Sequence, residues 1–241
     1  MDLIAKPPTL WRVMRTRRCP ITGTPAVFLA PRERPMTTMR LDDLRQHSDV
    51  LRTRSGDVVT VRFVEPRDAG ALQSYFRSLT AASRYKRFLG AASELPPALL
   101  EDFIHVGEAN RFSVIATMRI DGRETIVGEA RYAFDSDASS IEFGLSIDDR
   151  WQGHGIGKAL LQNLECRATS FGAVRLFGDA LRSNDAMIGL ARKAGYAFVH
   201  TPGDWKLTRF QKQIPVEPQE IPCASRRLAA FSPRAMSSLA V

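Results

Sequence analysis

What this sequence has least of is cysteine and long apolar stretches. Cys19, Cys166 and Cys223 are odd in number, far apart and outside any Cys-x-x-Cys or Cys/His spacing. That argues against a disulfide framework or a zinc site and fits a reducing, cytoplasmic setting. His47, His105, His154 and His200 form no metal-spaced set either, so no metal is expected. No apolar run approaches the ~20 residues that span a bilayer. The longest near the start, Ala26–Ala30, is too short and too late for the core of a signal peptide, and no membrane attachment is expected.

Excess charge is missing from the middle of the chain. The net charge is +8, yet residues 1–55 hold 11 Lys and Arg against 5 Asp and Glu, residues 211–241 hold 4 against 2, and residues 56–210 are balanced at 19 of each. A neutral middle has no overall field to steer it onto a polyanion, so nucleic acid is not expected as a partner. Residues 1–55, interrupted by Pro7-Pro8, Cys19-Pro20, Thr24-Pro25, Ala30-Pro31 and Arg34-Pro35, read as a basic, disordered extension. Translation starting at Met36 or Met39 would remove much of it. Residues 211–241, with four prolines and sparse periodicity, read as a flexible tail.

The intervening 56–210 suits one domain with one substantial core. Asp57–Val64 alternates and is rich in β-branched residues, as a strand does. Glu65-Pro66 starts a helix through about Leu79, Ser83–Phe88 reads as a short helix, and Pro96-Pro97 opens another. Phe112–Met118, the turn Asp121-Gly122, and Thr125–Tyr132 make a hairpin, and Ser140–Ile147 adds a third strand. A helix from the glycine loop to about Ser170 carries Ile156, Leu160, Leu161, Leu164, Ala168 and Phe171 inward, with Cys166 as a small packing residue. Strand Val174–Ala180, a helix capped by Asn184 and ended by Gly195, strand Tyr196–Val199 and strand Trp205–Phe210 complete the order. The result is an α/β chain whose mixed sheet carries helices on both faces.

The stretch with most chemistry is Gln152-Gly153-His154-Gly155-Ile156-Gly157, set between a strand and an amphipathic helix. Such a junction aims several backbone N–H groups and the positive end of a helix dipole at one point, which suits a phosphate. In the strand before it, Ser140, Glu142, Gly144 and Ser146 share one face, a small polar lane with one carboxylate.

Gln-x-x-Gly-x-Gly at 152–157, with Asn184 followed by Ala194-Gly195-Tyr196 and the element order above, resembles the GNAT acetyltransferase superfamily over about residues 57–210. Ser83–Phe88, Leu95-Pro96-Pro97 and Ile141-Glu142-Phe143 before Trp151 look in addition like the catalytic domain of bacterial protein lysine acetyltransferases that regulate acyl-CoA synthetases. The resemblance implies a GNAT-like fold with a mostly antiparallel mixed sheet, and acetyl-CoA as cosubstrate. It also implies an amine acceptor, a protein lysine such as one on an acyl-CoA synthetase. The amides of Gly153, His154, Gly155, Ile156, Gly157 and Lys158 would receive the pyrophosphate, with Gln152 as the first residue of the signature, and Leu145, Ser146 and Ile147 would pair with the pantetheine arm. Asn184 would contact the CoA arm, and Glu142 would be the general base, with Glu129 its understudy and a salt bridge to Arg131 the alternative role for Glu142. A tyrosine common in the family five positions before Tyr196 is replaced by Ala191, which leaves the acid unassigned. A small-molecule amine acceptor and a non-catalytic acetyl-CoA-binding sensor stay open as alternatives.

Overall fold

A computed structural model describes residues 48–53, 55–90, 92–106, 111–135, 139–170, 173–200 and 204–214. A hairpin of β1 (Ser48–Arg52) and β2 (Val58–Phe63) leads through a 3-10 turn at Pro66–Asp68 into α1 (Ala69–Ser78), α2 (Ala81–Phe88) and α3 (Pro97–Ile104). A meander of β3 (Arg111–Ile120), β4 (Arg123–Asp135) and β5 (Ser140–Ile147) follows. Then come α4 (Ile156–Ser170), β6 (Arg175–Leu181), α5 (Asp185–Lys193), β7 (Ala197–His200) and β8 (Leu207–Gln213). The strands lie side by side as β1-β2-β3-β4-β5-β6-β8-β7, antiparallel throughout except for β5 beside β6. Among the described residues no helix is long and apolar enough to cross a membrane.

The period-2 alternation of the strands assigns the helices to faces. Phe63, Val114, Ala130, Phe143 and Leu176 stand on the face covered by α4, where Leu160, Leu161 and Leu164 are buried. The opposite face receives α1 through Tyr75, whose hydroxyl meets Ser146, and α3 through Phe103, stacked under the Arg131 guanidinium at 4.1 Å. Phe76 and Phe88 meet edge to face at 4.9 Å and pack α2 against α1. Cys166 is buried as a packing residue, while Phe171 and the Pro202-Gly203 turn lie outside the described residues.

Several boundaries differ from the reading above. Strand β8 runs on to Gln213, with Gln211, Lys212 and Gln213 paired to Phe177, Leu176 and Arg175, and Ile214 is buried. Residues 211–214 of the segment read as a tail therefore belong to the sheet and core. The α1 helix begins at Ala69 because Asp68 first folds back, accepting the Glu65 N–H at 2.8 Å and pairing with Arg62 at 2.7 Å. Trp205 precedes β8 in an exposed turn instead of opening a strand. Ser48–Arg52, within the segment assigned to the extension, is an edge strand of the sheet. Residues 1–47 lie outside the described part.

That edge strand is fastened by a buried ion pair. Asp49, 1% exposed, accepts from Arg167 Nη2 at 2.5 Å and from Asn163 Nδ2 at 2.8 Å, and Arg167 Nε donates to Asn163 Oδ1 at 2.7 Å. The guanidinium, wholly buried, lies 4.6 Å from the Phe63 ring centroid. Removing one partner of a buried pair leaves the other charge uncompensated, so Asp49→Ala should lower stability by about 3–5 kcal/mol. Urea unfolding measures this, and a loss below about 0.5 kcal/mol, the range of ordinary surface changes, would mean that the pair is not holding β1 to α4.

Candidate active site

Pairing between β5 and β6 lasts for three residues, Ser140 to Glu142 against Arg175 to Phe177. Beyond Gly178, where an added Cβ would stand 2.7 Å from the Phe143 carbonyl oxygen, the two strands part. β6 continues with β8 through Leu181, and β5 continues with β4 through Ile147. The opening between them belongs to a cavity of about 1280 Å³, above the ~300–1,000 Å³ usual for a small-ligand site.

Parting leaves amides of β5 without a strand neighbour. The Asp148 N–H donates to the Val127 carbonyl at 2.9 Å, which sets the phase of the β4–β5 ladder, since bonded and non-bonded residues alternate in an antiparallel pair. Counting by twos, Ser146, Gly144 and Glu142 turn their N–H and C=O groups toward β4, and Leu145 and Ile147 turn theirs into the opening. Gln152 Nε2 takes up the Ile147 carbonyl at 3.1 Å. This glutamine therefore ties the loop to the end of the strand, a role distinct from ligand contact.

The glycine loop closes one end of the cavity. Gly153 and Gly155 have φ of 83° and 88°, which only glycine adopts without strain. A Cβ on Gly153 would meet no protein atom within 4 Å, so within the protein itself it is the backbone turn that calls for glycine. The first helical bond of α4 runs from the Ala159 N–H to the Gly155 carbonyl at 3.1 Å, which leaves the amides of Ile156, Gly157 and Lys158 without intrahelical acceptors. The Ile156 side chain is buried in the core, so this residue can serve the cavity only through its amide. Lys86, Lys158 and Lys193 line the cavity without an acidic partner among the described residues, and they bias it toward anions. Asn184 caps α5, accepting the Met187 N–H at 3.3 Å, and also lines the cavity.

Ser55 and Thr53, from the β1–β2 hairpin, reach the same cavity. Ser55 Oγ donates to the His154 carbonyl at 3.0 Å, and His154 Nδ1 lies 3.5 Å from Asp57 Oδ2. Polar residues before an alternating strand gave no sign of this contact, which spans 99 positions of sequence. Asp149 performs a similar service on the other side, accepting from the Thr80 N–H at 2.9 Å and from Ser83 Oγ at 2.6 Å, and so holds the start of α2 against the loop.

Glu142 also lines the cavity, is 5% exposed, and its carboxylate makes no hydrogen bond with a described residue. Burial, together with the carboxylate of Asp179 and against the pull of Arg209, raises its pKa from 4.5 to about 7. Arg131 stands opposite Gly144 in the ladder, not opposite Glu142. Glu129 is engaged elsewhere: Arg87 Nε donates to its Oε1 at 2.6 Å and Ser146 Oγ at 2.7 Å. Ala191 is buried and offers no acid. Leu145, Ser146, Ile147, Gln152, Gly153, His154, Gly155, Gly157, Lys158 and Asn184 thus meet around one cavity with Glu142. Arg87 joins them from a helix whose inward polar face, Ser83, Lys86 and Arg87, is the only local sign of it.

A splayed parallel pair, a strand of open amides and a glycine loop at a helix start together frame a cavity suited to a ligand with a phosphate group and an amide-bearing arm. The sequence pattern of the acetyltransferase (GNAT) family matches residues 76–196, half of the chain. A protein of Pseudomonas aeruginosa named as an acetyltransferase is 28% identical over 149 residues, 62% of this chain and 80% of that one. The crystal structure of the GNAT domain of S. lividans PAT superposes with a TM-score of 0.63 at 24% identity, covering 69% of this chain and 97% of that one. RimL, a ribosomal L7/L12 alpha-N-protein acetyltransferase in complex with coenzyme A, superposes at 0.55 and 14% identity, covering 66% and 96%. The chain belongs to the acetyltransferase (GNAT) family. It is an acyltransferase with the fold expected of that family.

The raised pKa of Glu142 has a stability consequence of definite sign. The folded chain keeps the proton up to about pH 7, whereas the unfolded chain releases it near 4.5. Stability is therefore full below about pH 4.5, falls as pH rises toward 7, and stays reduced above it. Glu142→Gln, which cannot ionise, should be more stable than the wild type at pH 8 by about 3 kcal/mol, with the difference fading by pH 4.5. Thermal unfolding at the two pH values measures it, and equal differences at both would place the proton elsewhere.

Proposed function

We propose that this acetyltransferase moves the acetyl group of acetyl-CoA onto a primary amine, a protein lysine, by direct attack with Glu142 as general base. One observation carries the reading: a buried carboxylate without a hydrogen bond from any described residue shares a cavity with the outward-facing N–H of Leu145, three residues along the same strand. An amine that enters beside Glu142 loses its proton to a carboxylate whose pKa of about 7 suits that exchange near neutrality. The Leu145 N–H donates to the acetyl oxygen as negative charge develops there. The residues present fit the cosubstrate. Orphan amides of Ile156, Gly157 and Lys158, at the positive end of α4, would take the pyrophosphate. The Ile147 and Leu145 edge of β5 would pair with the amide-bearing pantetheine arm. Acetyl-CoA supplies the activated acyl group: as the C–N bond forms the C–S bond breaks, and the proton left on the new amide nitrogen passes through water to the departing thiolate, since α5 has alanine at position 191 in place of an acid.

Lysine as acceptor is supported by the segment Ser83–Phe88, whose resemblance to the protein lysine acetyltransferases is tied to the site itself, because Ser83, Lys86 and Arg87 line the cavity. The acyl-CoA synthetase class of protein is the proposed partner, and the cytoplasm the proposed setting.

Glu142→Gln should lower kcat by roughly 10²–10⁴-fold while acetyl-CoA affinity stays within a few-fold. The rise of kcat/KM with pH, centred near 7 in the wild type, should disappear with it. Thiol release against a panel of lysine peptides and small amines measures both quantities. Turnover by the variant equal to that of the wild type would remove Glu142 from the role, and exclusive turnover of a small amine would replace the lysine.

A further inference from the structure

We propose that Arg87 is a positioning residue for acetyl transfer, acting through the peptide unit that joins Gly144 to Leu145; the proposal rests on the reading of the site given above. The carbonyl end of that peptide unit points toward β4 and its N–H end into the opening. Arg87 Nη2 donates to the Gly144 carbonyl at 3.2 Å, while Nε and Nη2 hold Glu129 at 2.6 and 3.2 Å. The guanidinium lies so close to the strand that a Cβ on Gly144 would stand 2.7 Å from Nη1 and 3.1 Å from Cζ. Glycine in the polar lane is therefore the room that Arg87 occupies.

The next residue is fixed from the same side. Ser146 Oγ donates to Glu129 Oε1 at 2.7 Å, so the Tyr75 hydroxyl, 2.9 Å away, is the donor to Ser146. Strand residues beyond Glu142 have no β6 ladder to hold that edge. The Tyr75–Ser146–Glu129–Arg87 chain replaces the missing support from the helical side and leaves the open edge clear. A cationic donor on a carbonyl also polarises the whole amide, so the Leu145 N–H at its far end becomes a stronger donor. Arg87 thereby affects the reacting carbonyl without having to touch it. Its side chain, 9% exposed and paired with Glu129, would also serve stability, and the test must separate the two roles.

The full chain is used, as the wild type, as Arg87→Lys, which keeps the charge but loses the fork, and as the double variant R87Q/E129Q, which leaves no unpaired ion. Calorimetry reads acetyl-CoA affinity, thiol release reads kcat, and infrared difference spectra read the carbonyl stretch of bound, carbon-13-labelled acetyl-CoA. Folded Arg87→Lys should bind acetyl-CoA within about threefold of the wild type and lose ~10–100-fold in kcat, somewhat less than removal of an oxyanion donor itself. The bound carbonyl band should move back toward its position in free acetyl-CoA. Where Arg87→Lys does not fold, R87Q/E129Q carries the same expectation. An unchanged band and kcat in a folded variant overturn the proposal. So does a loss of affinity that accounts for the whole fall in kcat/KM, which would make Arg87 a binding residue. Failure of the wild type to bind acetyl-CoA would overturn the underlying reading of the site, before any variant is compared.

Discussion

β5 and β6 stay together for three residues and then separate, and the rest of the site depends on that separation. Had the parallel ladder continued, the amides of Leu145 and Ile147 would be spent on β6, and no room would exist between the strands. Each strand keeps a full partner on its outer side, β4 for one and β8 for the other. The sheet is therefore interrupted without being weakened elsewhere, and the unsatisfied groups face a cavity where ligand or water can meet them.

Buried charge fastens the sheet at several points, and at β5 it does so through Glu129 and Asp148. Asp49, Asp68, Glu129 and Asp148 are buried carboxylates, and each meets an arginine: Arg167, Arg62, Arg87 and Arg150. Asp148 illustrates the balance. Burial pushes its pKa up, but hydrogen bonds from Arg150 and Ser78 outweigh that and hold it below the ordinary value. Glu142 has no such bond, with Arg209 committed to Asp179 at 2.7 Å, and its pKa rises instead. A carboxylate unpaired among the described residues, where its neighbours are paired, is costly to stability, and function is a physical reason for tolerating it.

Local pattern made much of this legible. The alternation in Ser140–Ile147 identified the lane that carries Glu142, and Gln152–Gly157 marked the loop at the helix start. Distant partners were not legible. Asp49 is buried and Val50 exposed, so β1 inverts the pattern by which a strand is recognised, and its reason, Arg167, lies 118 positions away. Glu129 looked like a second base because its pairing with Arg87 crosses from a helix to a strand. The positive φ of Gly153 and Gly155 is a backbone demand that their glycine identity satisfies.

Amide resonances of the nitrogen-15-labelled chain, followed during titration with acetyl-CoA, test the link between the open strand and its ligand most directly. The Leu145 and Ile147 protons should shift downfield as they gain acceptors, together with those of Ile156, Gly157 and Lys158, while Ser146, already bonded to β4, moves little. Saturable binding that leaves Leu145 and Ile147 unmoved would contradict the assignment of the parted strand as the acetyl-CoA site.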